Sequence, residues 1–258
     1  MTSKMKFGLI GHPIEHSLSP ALFRAGYDGK YPYELIQTPD FEEAYARFMA
    51  DYDGINVTAP FKELAIKKAD ILSEECQTIG ATNLLIKTPE GIKAYNSDYL
   101  GVRLWIKMVS DGVKSVLPPK VLIVGTGGAG KAAAEAARSL GYEVILMNRT
   151  RYSEETKPLS EFREAFRTAD IIIYNLPVRL PELDQLDHED FMEEKPKHIL
   201  EANYRNPSFD KELIHKLKGL HPMLEYTAGE TWLLLQAVTG YEIFTGETPD
   251  LEKMTACL

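Results

Sequence analysis

The stretch VLIVGTGGAGKAAAEAARSLGYEVILMNRT, positions 121 to 150, constrains this chain more than any other. Residues 121–124 are a short apolar run, as in a buried strand. Gly125, Gly127 and Gly130 follow in G-x-G-x-x-G spacing. An alanine-rich run then predicts a helix over 128–140, and residues 143–147 predict a second strand. Strand, glycine turn, helix and strand make a βαβ unit. The rest of the chain repeats the alternation, so the expected class is α/β, with a Rossmann-like doubly wound domain and a mostly parallel sheet.

A G-x-G-x-x-G alone is a weak signal. Between an apolar strand and an alanine-rich helix, it lets the backbone approach a pyrophosphate, and the helix N-terminus supplies unpaired N–H groups. Gly125, Gly127, Gly128 and Ala129 are therefore candidate contacts of a dinucleotide. An NAD site usually ends the next strand with an acidic residue, which bonds the ribose hydroxyls. Here the strand ends in Asn148-Arg149-Thr150, followed by Arg151. Guanidinium and hydroxyl donors suit a 2′-phosphate, which an acid would repel, so NADP is the expected cofactor. The competing reading is a structural turn with solvated arginines.

A second set of strands and helices precedes this unit. Strands are expected at 6–11, 31–38, 54–57, 82–87 and 92–95, and helices at 19–25, 41–49, 61–69 and 98–110. Residues 88–91 should turn a hairpin. Residues 111–120 (DGVKSVLPPK) form a Gly- and Pro-marked connector to the βαβ region. Further strands are expected at 169–174 and 198–202, a mostly loop-like stretch at 177–196, and helices at 229–238 and 250–257. In a chain of 258 residues this suggests two domains with a ligand cleft between them.

The net charge of −9 argues against a nucleic-acid partner. No run approaches the ~20 apolar residues of a membrane span. The two cysteines, Cys76 and Cys257, suggest no disulfide framework, and a cytoplasmic location is expected. His12-Pro13-Ile14-Glu15-His16 has the H-x-x-E-H spacing of a zinc hydrolase helix, but Pro13 and the preceding strand argue for a loop, and no metal is expected.

Three more segments put polar groups at strand ends, where α/β sheets hold ligands: Asn56-Val57-Thr58-Ala59-Pro60-Phe61-Lys62, Gly80-Ala81-Thr82-Asn83, and Asn96-Ser97-Asp98-Tyr99-Leu100-Gly101. Together with Pro13-Ile14-Glu15-His16-Ser17-Leu18-Ser19-Pro20 and Asn148-Arg149-Thr150, they resemble the ordered motifs of the shikimate dehydrogenase family over essentially the whole chain. The resemblance implies an NADP-dependent oxidoreductase that interconverts 3-dehydroshikimate and shikimate, in aromatic amino acid biosynthesis, as a monomer or homodimer. It implies a catalytic pair, Lys62 and Asp98. It implies that Ser17 and Ser19 hold the substrate carboxylate, that Thr58, Asn83 and Gln236 bond the ring hydroxyls, and that Tyr204 lies near the carboxylate. Gly229 joins the cofactor contacts.

Residue types fit these roles. Hydroxyls near a helix start are neutral donors for a carboxylate, although Ser19 also reads as an N-cap with Pro20 at N1. An ammonium beside a reacting oxygen stabilises an alkoxide. The resemblance further implies a substrate domain of residues 1–98 and 227–258 and a cofactor domain of 99–226. Three places depart from the family pattern. Asn175-Leu176-Pro177-Val178-Arg179 lacks the usual small hydroxyl residue and Gly-Met. Tyr99 stands for a glycine and Trp232 for a methionine, and both bulky residues are expected to narrow the cleft. The alternatives are an NAD-dependent quinate or shikimate dehydrogenase and a catalytically silent shikimate-binding sensor.

Overall fold

The computed structural model describes residues 5–110, 119–150, 153–191 and 195–258, so most of the expected connector and Arg151 lie outside the described residues. In chain order the elements are β1 (Phe7–Gly11), α1 (Ser19–Gly26), β2 (Tyr33–Gln37), α2 (Phe41–Asp51), β3 (Gly54–Val57), α3 (Lys62–Ala65), β4 (Ile71–Leu72), α4 (Glu74–Ile79), β5 (Leu84–Thr88), β6 (Gly91–Tyr95) and α5 (Ser97–Ser110). Then come β7 (Lys120–Val124), α6 (Gly128–Ser139), β8 (Glu143–Met147), β9 (Thr156–Lys157), α7 (Phe162–Thr168), β10 (Ile171–Tyr174), α8 (Pro181–Asp184), β11 (Lys197–Glu201), α9 (Lys211–Leu220), β12 (Leu224–Thr227), α10 (Gly229–Thr245) and α11 (Leu251–Thr255). No helix among the described residues is long and apolar enough to cross a membrane.

The chain divides into two compact units. One runs to Gly101 and is completed by Leu234–Leu258; the other is Val102–Leu233. Both dividing points fall inside helices, α5 and α10.

The first unit holds a six-stranded sheet in the order β2-β1-β3-β5-β6-β4. β1 pairs in parallel with β2 and β3, but β5 runs antiparallel to β3 and β6, so this sheet is mixed. The antiparallel part is the expected hairpin, whose turn is closed by the Thr88 hydroxyl donating to the Gly91 carbonyl at 2.9 Å. One core cluster joins Ile10, Ile55, Val57 and Leu85 to the buried side of α2, where Phe41, Ala44 and Phe48 recur at helical spacing. An aromatic cluster adds Phe7 stacked on Phe244 at 4.9 Å and Phe23 edge-on to Tyr241 at 4.7 Å. The structure adds β4 and α4, which the sequence pattern did not resolve. It also shortens the helix expected over 61–69 to α3 followed by a 3-10 turn at Ile66–Lys68.

The second unit is a wholly parallel six-stranded sheet, β12-β11-β10-β7-β8-β9. The strand order reverses at β7, the first strand of the unit, which makes its carboxyl end a topological switch point. Val121–Val124 and Ile171–Tyr174 are buried throughout, as expected of strands covered on both faces. α7, α9 and β12 went unpredicted, although α7 buries Phe162, Ala165 and Phe166 and α9 buries Leu213 and Leu217 at helical spacing.

Candidate active site

In the first unit the loop after β1 carries the two serines. The Ser17 amide donates to the Ile14 carbonyl at 2.9 Å, and the Ile14 amide donates to Gln37 Oε1 at 2.7 Å, which ties the loop to the end of β2. Ser19 is not the N-cap: it is the first residue of α1, and Leu18, at the cap position, makes no side-chain cap bond. The capping-type contact belongs to Ser17, whose Oγ accepts from the Ser19 amide at 3.2 Å, a turn a hydroxyl makes with the N–H two residues on. The Ser17 hydroxyl also lies 3.2 Å from Ser19 Oγ, so both hydroxyls meet at the start of α1. His12, Glu15 and His16 lie on this loop and not on a helix. No group of three or more His, Cys, Asp or Glu could hold a metal ion among the described residues.

Lys62 begins α3 after β3, and Asp98 lies in the first turn of α5 after β6. The sheet register sets Asn56 opposite Leu84 and Leu84 opposite Tyr95, which brings the ends of β3 and β6 to one edge of the sheet. There Lys62 Nζ donates to Asp98 Oδ2 at 2.5 Å, with the side chains 23% and 16% exposed. The pair is reachable from solvent yet partly desolvated, the condition under which a charged hydrogen bond fixes geometry. Thr58 directly follows β3, and its amide donates to the Ile10 carbonyl at 3.0 Å.

Asn83 and Gln236 meet through Ser97, a motif residue to which no role was expected. The Ser97 amide donates to Asn83 Oδ1 at 2.7 Å, Asn83 Nδ2 donates to Ser97 Oγ at 3.0 Å, and the Ser97 hydroxyl lies 3.1 Å from Gln236 Oε1. Farther in, the Tyr33 hydroxyl donates to Asn56 Oδ1 at 2.8 Å, and Asn56 Nδ2 donates to the Asn83 carbonyl. The sequence offered one cue to this scaffold: Asn56, Asn83, Asn96 and Ser97 all sit at strand ends, and each is buried here. Buried amides and hydroxyls are retained where they are bonded.

In the second unit the glycine turn has the shape a pyrophosphate requires. Gly125 has φ +91°, open to glycine but strained for other residues. A Cβ on Gly130 would sit 1.9 Å from the Gly125 carbonyl oxygen, whereas Cβ atoms on Gly127 or Gly128 would meet nothing within 4 Å. The turn is closed on its inner side and open at the start of α6, where Gly127 provides no side-chain cap. The first-turn N–H groups, Ala129 among them, are left for an anion. Thr126 Oγ1 and Asn175 Oδ1, both buried at this turn, have no hydrogen-bond partner, so a ligand there would find polar atoms waiting. Neither was among the expected contacts. Asn148, Arg149 and Thr150 follow the end of β8 on the same edge. Asn148 is half-buried, and Arg149 and Thr150 are exposed. Gly130→Ala is expected to cost about 1–3 kcal/mol through overpacking, seen as a lowered thermal midpoint. Gly127→Ala should stay within about 0.5 kcal/mol.

Tyr204 and Gly229 are neighbours in this unit, since a Cβ on Gly229 would lie 2.8 Å from the Tyr204 amide nitrogen. Trp232 is only 5% exposed. Tyr99, in the other unit, is half-buried near the start of α5, its amide donating to Asn96 Oδ1.

Comparison with known proteins identifies the lineage. Residues 9–85 match the shikimate dehydrogenase substrate binding domain, and residues 103–216 match the NAD binding domain of D-isomer specific 2-hydroxyacid dehydrogenases. Shikimate dehydrogenase of Thermotoga petrophila is 32% identical over 241 residues, spanning 90% of this chain and 83% of that protein. This chain belongs to the shikimate dehydrogenase family. The shikimate dehydrogenase (NADP(+)) of Pyrococcus furiosus is 31% identical over 275 residues, 96% of this chain and 93% of that one. Shikimate 5-dehydrogenase of Thermus thermophilus, solved with NADP(H) and shikimate, superposes with a TM-score of 0.78 at 28% identity, with 98% of each chain covered. Quinate dehydrogenase of Corynebacterium glutamicum, solved with NAD, has a TM-score of 0.79 at 20% identity and 98% coverage of each chain, a likeness of fold. Against the shikimate dehydrogenase motifs, the departing loop after β10 is fixed within its own unit: Arg179 bonds Asp210 at 2.5 Å and also pairs with Asp184.

Proposed function

We propose that this chain interconverts shikimate and 3-dehydroshikimate with NADP(H). The observation that carries the reading is the 2.5 Å contact between Lys62 and Asp98 at one edge of the substrate-domain sheet, in a chain of this family. When bound, the nicotinamide exchanges a hydride with the ring carbon that bears the reacting oxygen. The protein's task is then the proton and the charge.

Lys62 is the group for both. Its Nζ, beside the reacting oxygen, can exchange the proton with the hydroxyl and stabilise negative charge on that oxygen. Asp98 orients the ammonium and accepts from a substrate hydroxyl. Ser17 and Ser19 hold the carboxylate, with the start of α1 adding a favourable dipole. Thr58, Asn83 and Gln236 bond the ring hydroxyls, and Tyr204 approaches the carboxylate. In this reading residues 1–98 and 227–258 form the substrate domain, and residues 99–226 form the cofactor domain. The glycine turn fits a dinucleotide: Gly125, Gly127, Gly128 and Ala129 take the pyrophosphate, Asn148, Arg149 and Thr150 the 2′-phosphate, and Gly229 the nicotinamide end. The relatives named as NADP(+) enzymes support the cofactor. A cytoplasmic location is part of the proposal, supported by two free thiols, Cys76 buried and Cys257 exposed.

The test follows the absorbance of reduced nicotinamide with shikimate or quinate and NADP or NAD. Shikimate with NADP should turn over fastest. Turnover of quinate with NAD at a higher kcat/KM would replace this reading with the quinate enzyme, and silence with every pair would point to the sensor.

A further inference from the structure

Glu201 closes β11 and is completely buried. A carboxylate is expensive to bury, and among the described residues this one makes no ion pair. Its oxygens are satisfied by neutral donors instead. Oε1 accepts from the Ser208 amide at 2.5 Å, while Oε2 accepts from the Phe209 amide at 3.3 Å and from the Tyr226 hydroxyl at 2.8 Å. Burial and the adjacent carboxylate push the Tyr226 phenol well above its ordinary range, which keeps it a donor.

Those three bonds close a loop. Residues 202 to 207 leave β11 and return to Ser208 and Phe209, and Tyr204 sits at their middle. Inside the loop Asn203 Oδ1 accepts from the amides of Arg205 and Asn206, and Asn203 Nδ2 donates to the Asn206 carbonyl at 2.7 Å. The Arg205 guanidinium lies 5.6 Å from the centre of the Tyr204 ring. The base of the loop presses on Gly229, where a Cβ would meet the Ala202 carbonyl oxygen at 2.9 Å. One carboxylate therefore ties together the loop that presents Tyr204, the end of β12 through Tyr226, and the backbone leading to Gly229. An amide in place of the carboxylate would turn an N–H toward a donor and leave it unpaired.

We propose that Glu201 is a positioning residue for the reaction: it sets the loop that aims the Tyr204 hydroxyl at the substrate's carboxylate. The proposal rests on the assignment of Tyr204 made above.

The test is a double-mutant cycle on the full chain, reading kcat and KM for shikimate, with NADP affinity measured separately by nucleotide fluorescence. Tyr204→Phe and Glu201→Gln are each expected to raise KM for shikimate about tenfold. The double variant should be no worse than the weaker single, since both remove one contact. NADP affinity should stay within about twofold. Tyr226→Phe removes one donor and keeps the ring packing, so it should raise KM less and also fail to add to Tyr204→Phe; it serves if Glu201→Gln does not fold. Glu201→Asp, whose carboxylate falls short of the Ser208 and Phe209 amides, should behave like Glu201→Gln. If Tyr204→Phe leaves KM unchanged, the assignment of Tyr204 fails. If Tyr204→Phe raises KM but the Glu201 and Tyr226 variants leave it alone, or their effects multiply with it, Glu201 is structural and the proposal falls.

Discussion

Lys62→Ala is expected to lower kcat by about 10²–10⁴-fold, the range that a positioned proton-transfer group contributes, with NADP affinity unchanged within about twofold. The size follows from the site. Nζ and Asp98 Oδ2 are 2.5 Å apart and both side chains are mostly covered, so water cannot reproduce the ammonium's position. Removing the amine leaves the Asp98 carboxylate without the cation it faces, which adds a penalty for any ligand that brings negative charge. Asp98→Asn should cost less, since an amide can still hold Lys62 through its oxygen. The cofactor's affinity is the control, because the glycine turn belongs to the other compact unit. Steady-state rates with saturating shikimate and NADP decide the matter, and a Lys62→Ala enzyme within threefold of the parent would remove the catalytic assignment.

Arg149→Ala is expected to raise KM for NADP about tenfold to a hundredfold while changing KM for NAD by less than about threefold. A charge-assisted hydrogen bond is worth about 1.5–3 kcal/mol, and only NADP carries the phosphate that would receive it. Arg149 follows β8 on the edge where the glycine turn opens, and it is exposed. Arg149→Asp should go further and reverse the preference, because a carboxylate repels the phosphate and can accept from the ribose hydroxyls of NAD. Equal losses for both cofactors would show that the residue supports the turn and does not read the phosphate.

The sequence was most legible where several local rules agreed. The segment from 121 to 150 combined a buried strand, obligatory glycines and an alanine-rich helix, and β7, α6 and β8 lie where that pattern puts them. Lys62 and Asp98 could be paired only through motif order, because 36 residues separate them and the sheet register that joins them is a long-range property. Ser97 and Glu201 stayed hidden for another reason. Their importance lies in what their polar atoms bond after burial, and a serine beside an aspartate or a glutamate ending a strand carries no local sign of that. The misassigned cap at Ser19 shows the same limit on a smaller scale: two serines stand two residues apart, and backbone geometry selected Ser17. The hairpin at 82–95 was legible from its turn, whereas the antiparallel pairing of β5 with β3 is a long-range property with no local sign.

The first unit is assembled from the two ends of the chain, and this bears on synthesis. Phe7 and Phe23 emerge early from the ribosome, but the rings that cover them, Phe244 at 4.9 Å and Tyr241 at 4.7 Å, are translated more than two hundred residues later. Throughout that interval the nascent sheet shows an oily flank to solvent, while the intervening Val102–Leu233 segment carries a core cluster of its own and can condense first. A release product lacking the last helices would keep the glycine turn intact and still be a client for chaperones, with its aromatic cluster uncapped.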